Sequence, residues 1–255
     1  MASKPKKKAR YDLKAADRKR NLFVQIGLTA VVVIFAVVLV LYIVMSADEK
    51  PTAGEKRSIR VESSSLIKKE GTEEPKVVLS LYEDFLCPAC AAFEKEFGPT
   101  INKLIDSGAI AADYYMVNVH GAQNQNYAAR SGGAAYCVAD ESVDAFQRFF
   151  AALYAQQSEM AAGNSDDDRL IEIARQAGAG GSVPECINKG TYVDMVNGMA
   201  AATGIEATPT VRINGEDYQP STPDALVAKI KEIVGDVPGL EAVAPETAPA
   251  PASTP

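Results

Sequence analysis

The 255-residue chain has no tryptophan, one histidine and only four cysteines. So few cysteines exclude a disulfide-dense small scaffold, where they would be a far larger fraction. The lone histidine, His120, leaves no His pair for a zinc site, and no second closely spaced cysteine pair is present to complete one. Basic residues are scarce beyond the first twenty positions. Residues 1–20 hold nine Lys and Arg against two Asp, a balance of +7, so the rest of the chain carries −14. A body this acidic lacks the clustered cations that bind nucleic-acid phosphates. No internal repeat is evident. With 47% apolar residues, the length suits one large domain with appendages.

What is present begins with an uncharged run, Leu22 to Met45, in which only Gln25 and Thr29 are clearly polar. As a helix it would be about 36 Å long, enough to cross a hydrocarbon core. A buried core helix is seldom apolar on every side over such a length. A cleaved signal peptide is the rival reading, but its apolar core is usually about 7–15 residues with an A-x-A-like site. Here the run is longer, and only Ser46-Ala47 offers small residues before Asp48. An uncleaved anchor is therefore expected. The nine basic residues precede it, which keeps residues 1–21 cytoplasmic and exports residues 46–255. Next to a span they read as a topology determinant touching anionic lipid, rather than as a nucleic-acid patch or localisation signal.

Residues 46–75 are polar and charged and read as a tether, with a short strand at Ser58–Val61. Residues 238–255 are rich in Ala, Pro and Thr and read as a disordered tail. Between them, residues 76–237 have a folded pattern. Lys76–Phe85 is β-branched and aromatic, a buried strand. Pro88 then suits the first turn of a helix, which Gly98-Pro99 should kink or break. Ala109–Val119 reads as a second strand, and about 126–203 as an Ala-rich helical block. Thr210–Ile213 and Glu216–Gln219 flank an Asn214-Gly215 hairpin turn. Thr222-Pro223-Asp224 starts a last helix with one apolar face. The class is α/β, with helices inserted between two halves of a small sheet.

Cys87-Pro88-Ala89-Cys90 falls on the first strand-to-helix junction. A thiolate is the nucleophile of disulfide exchange, and a helix N-terminus lowers a thiol pKa through its unpaired N–H groups and dipole. Cys87 is the expected attacking thiol. Cys90, one turn on, is expected to lie beneath it and resolve mixed disulfides. A zinc site and an inert structural disulfide are the alternatives, and neither a metal nor a cofactor is expected.

With the stretch YEDFLCPAC at 82–90 and GIEATPTVRING at 204–215, the chain resembles the DsbA-like branch of the thioredoxin superfamily. The helical block between the motifs is similar to that branch's insertion. The anchor and Cys137/Cys186 extend the resemblance to the membrane-anchored DsbA-like proteins of mycobacteria and other actinobacteria. It covers about residues 76–235 and implies a thioredoxin-like fold with a helical insertion, preceded by one transmembrane helix. It further implies that Thr208–Pro209 is cis and faces the dithiol, with the Thr208 backbone pairing an extended substrate. The residues alone leave a trans proline at an edge strand open, since only about 5–6% of X-Pro bonds are cis.

Two departures bear on the chemistry. Many periplasmic oxidases of the family have His where this chain has Ala89, so Pro88 and Ala89 tune the thiolate without a cationic neighbour. Family members often carry an acid six residues before the first cysteine, where this chain has Leu81. Glu83 and Asp84 lie on opposite faces of the strand. They read as a solvated strand end, though either could assist proton transfer from Cys90. The expected potential lies between about −120 mV and about −270 mV.

Four cysteines allow three connectivities, and 87–90 with 137–186 is the obvious one in an oxidising compartment. The 137–186 bridge would close about 50 residues and contribute about 4 kcal/mol in the chain-entropy model. A structural role is expected, a redox relay with Cys90 being the alternative. His120 reads as a surface residue. The expected function is oxidation of thiols in exported proteins at the outer membrane face, with reoxidation by a quinone reductase of the VKOR type implied by the resemblance. A dedicated reductase or isomerase, or a redox-inactive binding module using Thr208-Pro209, are the competing functions.

Overall fold

The structure is a computed structural model that describes residues 27–29, 31–39, 50–163, 165–241 and 243. It separates into two units, Met1–Glu49 and Lys50–Pro255. In the first, residues 27–29 and 31–39 are helical, and Leu28, Val31, Ile34, Phe35 and Val38 are all exposed within that unit. Among the described residues no helix is long and apolar enough to cross a membrane. The rest of the expected 22–45 span and the basic segment 1–21 lie outside the described residues.

The second unit is built on a five-stranded sheet of order β1-β3-β2-β4-β5. Its strands are β1 (Ile59–Val61), β2 (Val78–Glu83), β3 (Ala111–Met116), β4 (Thr210–Ile213) and β5 (Glu216–Asp217). Strands β2 and β3 run parallel and are joined by helix α1 (Pro88–Asp106), a crossover unit that places α1 on one face of the sheet. The other pairs are antiparallel, Leu81 facing Val211 across β2 and β4. Leu79 and Leu81 are wholly buried, as a central strand covered on both faces requires. Asn214 and Gly215 have φ of 51° and 88°, the left-handed pair that a two-residue hairpin needs between β4 and β5.

Helices α2 (Gln123–Glu141), α3 (Val143–Ala155), α4 (Gln157–Ala161), α5 (Asp167–Gln176), α6 (Val183–Asn188) and α7 (Val193–Thr203) form the inserted block. Ser142 and Asp166 cap α3 and α5, accepting from the N–H groups of Ala145 (3.2 Å) and Arg169 (2.8 Å). Helix α8 (Pro223–Val234) starts at the Thr222 cap and buries Leu226, Val227 and Ile230. Packing against α1 completes the covering of the sheet.

Three expectations change. First, α1 runs unbroken through Gly98-Pro99, because Phe97, Ile101, Leu104 and Ile105 on either side are held in the core. Second, the 46–75 segment is not a free tether beyond Arg57. There β1 pairs with β3, and the Arg57 guanidinium donates to the Tyr192 hydroxyl (2.8 Å), pairs with Asp140 and stacks 5.2 Å from the Tyr192 ring centre. Third, chain expected to be loose from Pro238 buries Leu240, and Val243 exchanges hydrogen bonds with the Thr100 hydroxyl.

Candidate active site

Strand β2 ends at Glu83, and the N–H groups of the loops beyond the ladder must find other partners. Asp84 supplies them. Its buried carboxylate accepts from Leu86 N (2.8 Å), from Val119 N (3.0 Å) and from His120 Nδ1 (2.8 Å). The Asp84 carbonyl accepts from Cys87 N at 2.9 Å. Asp84 is thus no solvated strand end but the fastener of the loop that presents Cys87. His120, expected to be a plain surface residue, is held at that loop by the same carboxylate.

Cys87 occupies the N-cap of α1 with extended backbone (φ −79°, ψ 116°), and Pro88 begins the helix. The first turn carries no acidic side chain, so nothing offsets its exposed N–H groups. From the far side, Gln157 of α4 donates to the carbonyls of Phe85 (3.0 Å) and Cys87 (2.8 Å), fixing the loop on both sides of Leu86. Nothing in the spacing of the sequence singles out Gln157, one polar residue among many in the helical block.

Thr208–Pro209 is cis, and the Thr208 carbonyl lies 3.4 Å from Cys87 Sγ. Pro209 with Phe93, Thr210, Val211, Tyr218 and Pro220 lines an adjoining groove of about 310 Å³. The structure thereby brings Cys87, Pro88, Ala89, Cys90, Thr208 and Pro209 into one place. Cys137 and Cys186 are elsewhere, bonded to each other between α2 and α6 with Cα atoms 5.9 Å apart. Among the described residues no three His, Cys, Asp or Glu side chains converge as a metal site would need.

Both Cys87 and Cys90 are free thiols, and both are buried. Their environments push their pKa values apart. Cys87 is pushed down to about 5, chiefly because the Cys90 thiol donates to its sulfur, with Thr208 and the N–H groups of Cys90 and Ala89 adding to the effect against burial. Among the described residues the buried Thr208 hydroxyl has no hydrogen-bond partner, which leaves it free to donate to the Cys87 thiolate once the thiol proton leaves. Cys90 is pushed far up by the same bond to Cys87, by its burial and by the charge of Glu83. One sulfur is therefore a thiolate at neutral pH and the other a thiol, the division of labour that disulfide exchange uses.

Beneath Cys90 lie acids that the sequence reading placed in solvent or passed over. Glu83 is wholly buried, and its pKa is raised well above the ordinary value, first by burial and then by Glu94. Glu94 of α1 is raised to about 7, chiefly by burial. Leu81 and Glu83 alternate onto the same face of β2. The acid lacking at 81 thus stands one pleat nearer the cysteines. Glycine inside a helix four residues after Glu94 was the other signal. A Cβ at position 98 would lie 2.9 Å from Glu94 Oε2.

Comparison with known proteins agrees with this chemistry. A family model described as Thioredoxin matches residues 69–232. The DsbA crystal structure of Mycobacterium tuberculosis, oxidised form, is 58% identical over 72% of this chain and 95% of its own, with a TM-score of 0.69. The reduced disulfide bond oxidoreductase DsbG of the same organism is also 58% identical, over 72% of this chain and 90% of its own, with a TM-score of 0.69. The thiol–disulfide oxidoreductase MdbA of Corynebacterium diphtheriae shares the fold at 19% identity (73% and 97% covered, TM-score 0.55). No curated protein matches the chain. With an N-capping thiolate, a buried partner thiol and these relatives, the chain belongs to the thioredoxin family, as a DsbA-like thiol–disulfide oxidoreductase.

Proposed function

We propose that this oxidoreductase introduces disulfides into exported proteins. The observation that carries the direction is the low pKa of Cys87, about 5. A thiolate stabilised in the reduced enzyme makes the disulfide a better electron acceptor. Among related dithiols the attacking cysteine spans about 3.5 in the strongest oxidants to about 7 in thioredoxin. A value near 5 supports an oxidant of intermediate strength, with a potential between about −120 and about −270 mV. Donors from Thr208, Cys90 and the helix N-terminus do the work that a His at position 89 would do.

In this reading a substrate thiolate attacks Cys87 Sγ of the disulfide, and the Cys87–Cys90 bond breaks with its electron pair on Cys90. A second substrate thiolate then attacks the substrate sulfur, closing the substrate disulfide and releasing Cys87 as thiolate. The groove beside Pro209 takes the flanking substrate chain. A membrane partner of the VKOR type accepts the two electrons, and residues 22–45 anchor the enzyme beside it in the cell membrane, N-terminus cytoplasmic. The uncharged 22–45 run and the basic residues before it support that placement, and shared anchoring raises the effective concentration of the two proteins.

The test is refolding of a reduced, unfolded disulfide protein by the wild-type enzyme and by Cys87→Ser, beside an equilibrium redox titration. Oxidative refolding by the wild type alone, with a potential inside that interval, is expected. A potential at or below about −270 mV, the thioredoxin value, would turn the reading over to a reductase.

A further inference from the structure

The carbonyl of an N-cap residue accepts from the first turn of its own helix. The Cys87 carbonyl does so at long range, from Cys90 N at 3.1 Å and from Ala91 N at 3.3 Å. Its shortest bond comes from another part of the fold, Gln157 Nε2 at 2.8 Å. A carbonyl has two lone pairs, and here three donors share them.

That competition matters because the same N–H groups serve the sulfur. Pro88 has no N–H to offer. The first turn of α1 can therefore turn only the N–H groups of Ala89 and Cys90 to Cys87 Sγ, and both favour its thiolate. Cys90 N is thus shared between the carbonyl and the sulfur of the same residue. A donor that fills the carbonyl releases that N–H to the sulfur. The second hydrogen of the Gln157 amide goes to the Phe85 carbonyl at 3.0 Å, so the amide group is fixed in rotation as well as in position. It also covers the negative ends of two carbonyl dipoles beside a sulfur that must carry charge.

Gln157 is the first residue of α4, a helix of five residues. So short a helix is not rigid by itself, and the fold holds it at both ends. Before it, Gln156 Oε1 accepts from the Arg169 guanidinium of α5. At its far end, Asn124 Nδ2 donates to the carbonyls of Met160 (3.3 Å) and Ala161 (3.1 Å), and the Met160 side chain is wholly buried. Asn124 has a φ of 50°, in the left-handed region that Asn enters more readily than most residues. The inserted block therefore delivers one amide to a fixed place at the thiol loop.

We propose that Gln157 is a positioning residue for disulfide exchange: it occupies the Phe85 and Cys87 carbonyls so that the first N–H groups of α1 face the Cys87 sulfur, which makes the inserted helical block part of the thiol site. Gln157 acts through the backbone of Cys87. In the disulfide the sulfur carries no charge, and Cys90 N can return to the carbonyl. The contribution of Gln157 is therefore specific to the reduced enzyme, and it is the same whichever way electrons flow in the cell.

Gln157→Met keeps the side-chain length and removes both donors. The thiolate absorbance of the reduced variant is expected to titrate about one unit above the wild-type value of about 5. The pH profile of Cys87 alkylation by iodoacetamide should move by the same amount. That tenfold loss of preference for the thiolate lowers the potential by about 30 mV in a two-electron couple. Cys90 and Glu83, the titratable groups that act on Cys87, belong to α1 and β2 and are unchanged in the variant. At neutral pH the thermal midpoint of the reduced form should fall more than that of the oxidised form. Asn124→Gly keeps the left-handed backbone and Gln157 itself but frees the far end of α4, and a smaller shift of the same sign is expected. It keeps the proposal testable should Gln157→Met fold poorly. Equal loss of both midpoints, with titration and potential at their wild-type values, would make Gln157 a structural brace and overturn the proposal. Should only Asn124→Gly fold, an unmoved titration and potential in it would do the same. Neither result bears on the direction of electron flow, which the refolding assay decides.

Discussion

Cys87 and Cys90 are three positions apart on one helix end and unbonded, whereas Cys137 and Cys186 are 49 apart and bonded. The surroundings differ as much as the bonding. The first pair sits among uncompensated polar atoms: Thr208 Oγ1, both oxygens of Glu83 and the Tyr154 hydroxyl. The second joins α2 to α6 in a block with capped α3 and α5 and with Arg130 on Asp167 and the Ser165 carbonyl. A sulfur pair does chemistry where the fold leaves its charge states unequal, and it holds structure where it ties two helices together.

The widest separation of the two regions comes from removing each pair in turn. Cys87→Ser is expected to abolish exchange activity and, below about pH 5, where the thiolate no longer contributes, to leave the thermal midpoint of the reduced protein nearly unchanged. The Cys137→Ala/Cys186→Ala variant is expected to do the reverse. It should keep the potential and oxidation rate of the wild type and lose about 2–4 kcal/mol of stability by denaturant unfolding. A changed potential in that variant would make the second pair a redox relay and dissolve the contrast.

A second comparison uses pH on the reduced and oxidised enzyme. Only the reduced form carries the Cys87 thiolate, whose pKa is depressed to about 5 from the ordinary thiol range near 8.5. Its stabilising effect is complete above the unfolded value and is lost as pH falls through the folded one. The midpoint of the reduced enzyme relative to the oxidised is therefore expected to rise between about pH 5 and about pH 8. A gap that stays level over that interval would mean that the thiolate is not held by the fold. The 137–186 bridge, bonded in both samples, contributes equally to each.

The sequence reading found the parts of this site that depend on neighbours along the chain. β-branched and aromatic residues placed β2. Asn214-Gly215 placed the hairpin, Pro88 the helix start, and the C-x-x-C spacing the two thiols. What escaped it depends on contacts across the fold. A Glu and an Asp at a strand end are ordinarily solvated, and only the packing of α1, α3 and β3 over Glu83 makes it a buried acid. Gln157 acts on carbonyls 70 and 72 residues away, a distance no local pattern encodes. Arg57 looked like part of a linker until Asp140, Tyr136 and Tyr192 met around it. The Thr208 bond geometry came from resemblance, since residue spacing does not distinguish cis from trans.

The smallest expected effect tests the contrast at a single atom. Thr208→Val removes the hydroxyl, whose only role in the site is toward the Cys87 thiolate, and preserves side-chain volume and the carbonyl 3.4 Å from Sγ. One hydrogen bond to a charged sulfur is worth about 1.5 kcal/mol, or about one pKa unit. The thiolate absorbance of the reduced variant should titrate near pH 6, and its potential should fall by about 30 mV, since for a two-electron couple that is about 1.4 kcal/mol. Both readings must move together, because both measure the same preference for thiolate over thiol. A potential that falls while the thiol pKa stays at its wild-type value would show that Thr208 acts on the disulfide instead, through the geometry of the cis-proline loop.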